Sequence, residues 1–130
     1  MSEMTNSFSA LDWLEGARKD WHQIEERLRD NECADAAFML HQSLEKYLKG
    51  YVVSRDWELK HSHNLADLLI EIVQHEPNYE EFQELCEEIS EYYFLEWNPS
   101  PEKVPSREKV GGTVEQARIL VDRILSDIQV

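Results

Sequence analysis

Within AFMLHQSLEKYLKG, residues 37–50, the side chains able to do chemistry are His41, Gln42, Glu45, Lys46 and Lys49, and His63 follows a short interval later. Imidazole can move a proton near neutral pH, carboxylate and ammonium groups can bind or neutralise charge, and a carboxamide both donates and accepts hydrogen bonds. At about 100° per residue, with Leu44 at the centre of the buried face, His41 falls near its rim and Glu45 on its flank. Gln42 and Lys49 lie further round, beside Phe38, so the group forms one patch. Two readings stand open on this segment alone: a polar site built on a helix, or the solvated side of a bundle element. Glu45 and Lys49, four apart in the favourable order, would support an exposed helix by about 0.2–0.5 kcal/mol.

Other chemistry finds less support in the residues. Glu58 and His61 form one E-x-x-H element, whereas a diiron bundle needs two such elements and two further glutamates. His61 and His63 lack a second convergent pair, so no metal site and no cofactor are expected. Cys33 and Cys86 have neither metal-type nor redox-type spacing and read as free thiols inside helices. Neither has an acid–base partner nearby in sequence, and no G-x-S-x-G turn occurs.

The chain has 130 residues, 42% of them hydrophobic and 31% charged, with four Trp and five Tyr, which suits one folded domain with one core. Acidic residues number 27 and basic residues 13, so the formal charge is −14. Nucleic-acid binding draws on Lys and Arg to neutralise phosphate, and this balance opposes it for the isolated chain. From His61 to Glu102 there are eleven Asp or Glu and no Lys or Arg. A phosphate-bearing partner would have to be met near Lys46, Lys49, Arg55 and Lys60. The N-terminal stretch lacks a basic region and an apolar signal core, and no apolar run reaches membrane-spanning length, so a cytoplasmic protein is expected.

The elements that must position these residues read as helices throughout. Leu14, Ala17, Trp21, Ile24 and Leu28 form a stripe with 3,4 spacing, and Ser9 with Asp12 suits its capped start. Asn31 is the expected cap of a second helix running to about Arg55. A short third helix is predicted from about Asn64 to Gln74, and a fourth, begun by Asn78 and Glu81, carries Phe82, Leu85, Cys86, Ile89 and Tyr93. Pro99, Pro101 and Pro105 predict a long loop over about 97–112. The T-x-x-Q of Thr113 and Gln116 then predicts the start of a last helix through Ile128. The expected fold is all-α, an antiparallel up-and-down bundle of four long helices plus one short one, in a single domain over 1–130. Phe38, Met39 and Trp13 lie off the main stripes, consistent with a dimer interface, a partner's groove, or a central helix with several neighbours.

The segments DWLEGARKDW, DAAFMLHQSLEKYLKGYVVSRDWELKHSHNLADLL, ISEYYFLEWNP and TVEQARILVDRIL resemble the HEPN domain family, over about residues 11–129. The most specific part is H-Q-x-x-E-K-x-x-K followed by H-N-L, here His41, Gln42, Glu45, Lys46, Lys49, His63, Asn64 and Leu65. The resemblance implies a helical bundle that commonly forms homodimers. It also implies one of two roles. The first is a noncatalytic subunit that works beside a nucleotidyltransferase and binds a nucleotide, with Lys46, Lys49, Gln42 and His63 as phosphate donors and Phe38 as a surface for the base. The second is a metal-independent, toxin-like ribonuclease of the kind found in toxin–antitoxin pairs, which needs an Arg and a His four to six residues apart. Arg55 and His61 meet that spacing, although the family's nucleases place the pair later. At the later place this chain reads YYFLEWNP, with Trp97 where relatives carry Arg, and indole cannot stabilise a phosphorane by charge. The noncatalytic role is therefore expected, with the ribonuclease and a purely structural oligomer as alternatives.

Overall fold

In the computed structural model, which describes residues 9–59, 62–96 and 100–128, five α-helices pack around one core and no strand occurs among those residues. They are α1 (Ala10–Arg29), α2 (Cys33–Ser54), α3 (Leu65–His75), α4 (Gln83–Ser90) and α5 (Arg107–Ile128). The all-α bundle expectation holds. Among the described residues no helix is long and apolar enough to cross a membrane.

Local sequence sets most of the boundaries. Ser9 Oγ accepts from the Asp12 amide while Asp12 accepts from the Ser9 amide, a complete capping box. Asn31, expected to cap α2, instead closes α1. Its φ of 61° puts it in the left-handed region, and the amides of Asn31 and Glu32 return to the carbonyls of Leu28 and Arg27. Asp56, with φ 62°, ends α2 the same way through the carbonyls of Val53 and Val52. Both are Schellman closures whose left-handed residue is Asn or Asp in place of the commoner glycine.

The fourth element is divided. Pro77–Phe82 and Glu91–Glu96 are 3-10 segments on either side of an eight-residue α4, so the Asn78–Glu81 start signal does not open an α-helix. The long loop is shorter than expected. Helix α5 begins at Arg107, where Ser106 Oγ accepts from the Lys109 amide, and it continues through Gly111 and Gly112. Two helical glycines cost about 1 kcal/mol each, which the burial of Val110, Thr113 and Val114 in that turn offsets. Thr113 is consequently interior to the helix, its hydroxyl donating to the Lys109 carbonyl.

Helix α2 is the central rod. Apolar residues on several faces are buried: Ala36, Ala37, Leu40, Leu44, Tyr47, Leu48, Tyr51 and Val52. A helix buried nearly all round must have neighbours on all sides, and α2 packs against α1, α3, α4, α5 and the 91–96 segment. That accounts for Phe38 and Met39 off the main stripe. Helix α1 lies antiparallel along it, close enough for Ser43 Oγ to donate to the Ala17 carbonyl at 2.8 Å. Gly50 permits that approach at the other end, since a Cβ there would stand 3.1 Å from Leu14 Cδ2 and 3.2 Å from Trp13 Cβ. His63, just before α3, lies against residues 41–45 of α2, and Glu76, just after α3, lies against Tyr51, so α3 runs alongside α2.

Candidate functional site

Where α2, the α2–α3 connection and the 91–96 segment meet, the structure assembles His41, Gln42, Glu45, Lys49 and His63 into one network. Glu45 is its hub. Oε2 accepts from Lys49 Nζ at 2.8 Å and from His63 Nδ1 at 2.9 Å, while Oε1 is buried, 3.8 Å from His41 Nδ1 and without a hydrogen-bond partner among the described residues. The ion pair is no exposed helix-surface contact. Glu45 is 6% exposed and Lys49 8%, with the Lys49 ammonium 5.4 Å from the centre of the Trp13 ring. His41, placed near the rim by helical geometry, is fully buried because the 62–64 chain and Tyr93 cover it.

Proton positions follow from the partners. His41 Nε2 lies 2.8 Å from the His63 carbonyl, which only accepts, so Nε2 carries the proton. Burial pushes the His41 pKa below the ordinary histidine value of 6.5, against the opposing pull of Gln42 and Glu45. The other ring nitrogen, Nδ1, faces Gln42 Oε1 at 3.2 Å. His63 Nδ1 likewise donates, to Glu45. Neither nitrogen facing Glu45 and the His63 carbonyl is therefore open to a metal ion, and among the described residues no group of three or more His, Cys, Asp or Glu side chains is disposed around one.

This asymmetry predicts a pH dependence. Unfolded His41 takes up its proton near 6.5 and the folded residue only at lower pH, so stability is fully present above 6.5. It declines as pH falls from there toward the depressed folded value. Thermal unfolding followed from pH 7.5 to 5.5 is expected to show a falling midpoint, and His41→Gln is expected to flatten that slope. An unchanged slope in the variant would place the effect elsewhere.

Lys46 does not join the network. It crosses Gly16, which leaves room for its stem, and reaches Asp20 on α1 at 2.6 Å. Arg55 is at the far end of α2. Its Nη2 donates to the Tyr51 hydroxyl at 3.3 Å and the Asp127 carbonyl at 3.0 Å, 3.6 Å from a Glu76 carboxylate oxygen. Lys60, His61 and Trp97 lie outside the described residues. Glu58 falls in the connection after α2, not on a helix.

Two groupings were invisible to residue spacing. Tyr93 stacks on His63 at 5.0 Å and 12° and meets His41 at 5.1 Å, so an aromatic assigned to core packing also roofs the polar network. Its helical spacing with Ile89 carried no hint of this. At the opposite end, Tyr51 and Tyr79 stack at 5.5 Å, Tyr51 donates to Glu76 at 2.6 Å, and Tyr79 donates to Asp127 at 2.7 Å. His75 stacks on Trp57 at 3.9 Å and 9°. Asn64 Oδ1 accepts from the Asp67 amide to cap α3, and His63 contacts α2. Cys86 is buried, its thiol pushed up to about 12 by desolvation, and Cys33 is half-buried; both are free.

The sequence profile of the HEPN domain family matches residues 10–127, nearly the whole chain. No functionally curated protein matches significantly. Among solved structures, the crystal structure of TT1696 from Thermus thermophilus superposes with a TM-score of 0.73 at 24% identity, covering 92% of this chain and 95% of that one. That likeness establishes the shared helical fold.

Proposed function

Because the chain belongs to the HEPN domain family, we propose that it is a noncatalytic binding and interaction subunit, a homodimer that partners a nucleotidyltransferase and takes a nucleotide at the His41–His63 patch. One observation carries the noncatalytic part. The candidate cations Lys46, Lys49 and Arg55 have carboxylate oxygens at 2.6, 2.8 and 3.6 Å, so their charge is already answered inside the fold. Phosphoryl chemistry requires donors preorganised toward the developing charge of the substrate. Arg55 instead ties the ends of α2, α3 and α5 together.

The same neutralisation shapes how a nucleotide would be held. With Lys49 engaged by Glu45, recognition falls on the Gln42 amide, the solvent-exposed edge of His63 and the neighbouring rings of Phe38 and Tyr93, which meet at 6.3 Å. These groups suit a base and ribose better than a triphosphate. Titration calorimetry is expected to give closely similar affinities for ATP, ADP and adenosine. Absence of heat at millimolar ligand removes the nucleotide part, and a strong rank order by phosphate count reverses the assignment of Lys49. Purified protein incubated with RNA in EDTA is expected to leave it intact; cleavage abolished by Arg55→Ala and His61→Ala would establish the ribonuclease alternative. Light scattering at micromolar concentration tests the homodimer.

A further inference from the structure

The interaction role just proposed needs a surface, and a cleft distinct in its lining from the polar network supplies one. It has a volume of about 690 Å³, is open on one side, and is bounded by Asn64 and Ala66 at the start of α3, Glu87 and Ser90 of α4, then Glu91, Phe94, Leu95 and Lys103. Leu95 is buried at its base, whereas Phe94 is 63% exposed on its wall with one edge-on contact to Tyr93. Such a ring beside a cleft is where an apolar side chain from outside gains most from leaving water.

The polar lining divides into groups already used and groups still available. Ser90 Oγ accepts from the Leu65 and Ala66 amides and donates to the Cys86 carbonyl, and Asn64 caps the Asp67 amide. Glu87 and Glu91 are one helical turn apart and both exposed. Glu87 receives only the Gln83 amide at 3.3 Å, and Glu91 forms no ion pair among the described residues. Glu88, on the neighbouring side, is met by Lys109 at 3.1 Å. The stretch from 61 to 102 supplies no Lys or Arg, so Lys103 is the single Lys or Arg of the lining against two carboxylates, among the described residues.

We propose that this cleft docks a basic segment of a partner protein, with a Lys or Arg side chain between Glu87 and Glu91 and an adjacent apolar side chain against Phe94. The inference rests on the reading of the chain as an interaction subunit and specifies its contact face and the chemistry of its partner. Charge complementarity excludes an anionic occupant such as RNA, and a one-sided cleft of this volume takes several side chains from an extended or helical segment.

The test uses the full chain, isotope-labelled for NMR, and an acetylated, amidated Lys-Lys-Leu-Leu-Lys-Lys peptide as probe. Saturable amide shifts are expected around Ala66, Glu87, Glu91, Phe94 and Lys103. Affinity is expected to fall at least tenfold when serines replace the two leucines of the peptide, and at least tenfold in each of the Glu87→Lys/Glu91→Lys and Phe94→Ser proteins. The milder Glu87→Gln/Glu91→Gln protein, which leaves the backbone environment alone, is expected to weaken binding at least threefold and serves if either of the others fails to fold. No saturable binding, shifts spread over the remaining acidic surface, or affinities indifferent to these changes would overturn the proposal. Any of those results leaves the nucleotide calorimetry and the dimer measurement to judge the broader role separately.

Discussion

Glu45→Ala is expected to lower the unfolding free energy by about 3–5 kcal/mol, because it leaves the Lys49 ammonium buried without its carboxylate. It also removes the acceptor that holds His63 against α2, so protection of the 62–64 amides from hydrogen exchange is expected to fall with it. The cause is the uncompensated charge, not a large intrinsic value of the pair. Replacing both partners, Glu45→Leu with Lys49→Met, is therefore expected to recover most of the loss. Urea denaturation of the wild type, single and double variants measures this directly. A single variant within 1 kcal/mol of the wild type would mean that Lys49 reaches water with little rearrangement, and the closed network described above would not hold.

At the other end of α2, Tyr51→Ala is expected to cost about 3–5 kcal/mol, the range for emptying a fully buried aromatic site. Tyr51 packs on Tyr79 and Trp57, lies 5.2 Å beneath the Arg55 guanidinium, and donates to Glu76. Burial and the Glu76 contact push its pKa up to about 12, so the hydroxyl remains a neutral donor across the physiological range. Tyr51→Phe keeps the ring and deletes the hydrogen bonds, and is expected to cost about 1–2 kcal/mol. Comparing the two by chemical denaturation separates packing from polar contact. A Phe variant as unstable as the Ala variant would make the hydroxyl network, and Arg55 with it, the principal tie between α2, α3 and α5.

The same neighbourhoods part residues that look grouped in sequence. Arg55 and His61 satisfy a nuclease spacing that a short chain with five histidines easily produces. In the fold Tyr51, Glu76 and the Asp127 carbonyl surround Arg55, and two of these are more than 20 residues away. Lys46 and Lys49, three apart in the motif, separate in the same manner. One turns to Asp20 on α1 and the other to Glu45 beneath His63.

What the amino-acid order determined by itself was much of what short-range geometry carries. Apolar spacing of three and four marks where α1, α2, α3 and α5 wind, although Phe82 and Tyr93 of the fourth stripe lie in 3-10 segments, and local donors and acceptors mark several ends, as at Ser9 with Asp12 and at Asn64. The grouping of His41, Gln42, Glu45 and Lys49 was legible too, because one helix places residues three and four apart within reach. Tertiary packing decided the character of that group. The contact of residues 62–64 with α2 and the arrival of Tyr93 from more than 40 residues away bury His41 and the Glu45–Lys49 pair. A solvated stripe thereby becomes a closed network. Charge and pKa depend on the dielectric made by every neighbour, and neighbours distant in the chain meet only once the core has formed.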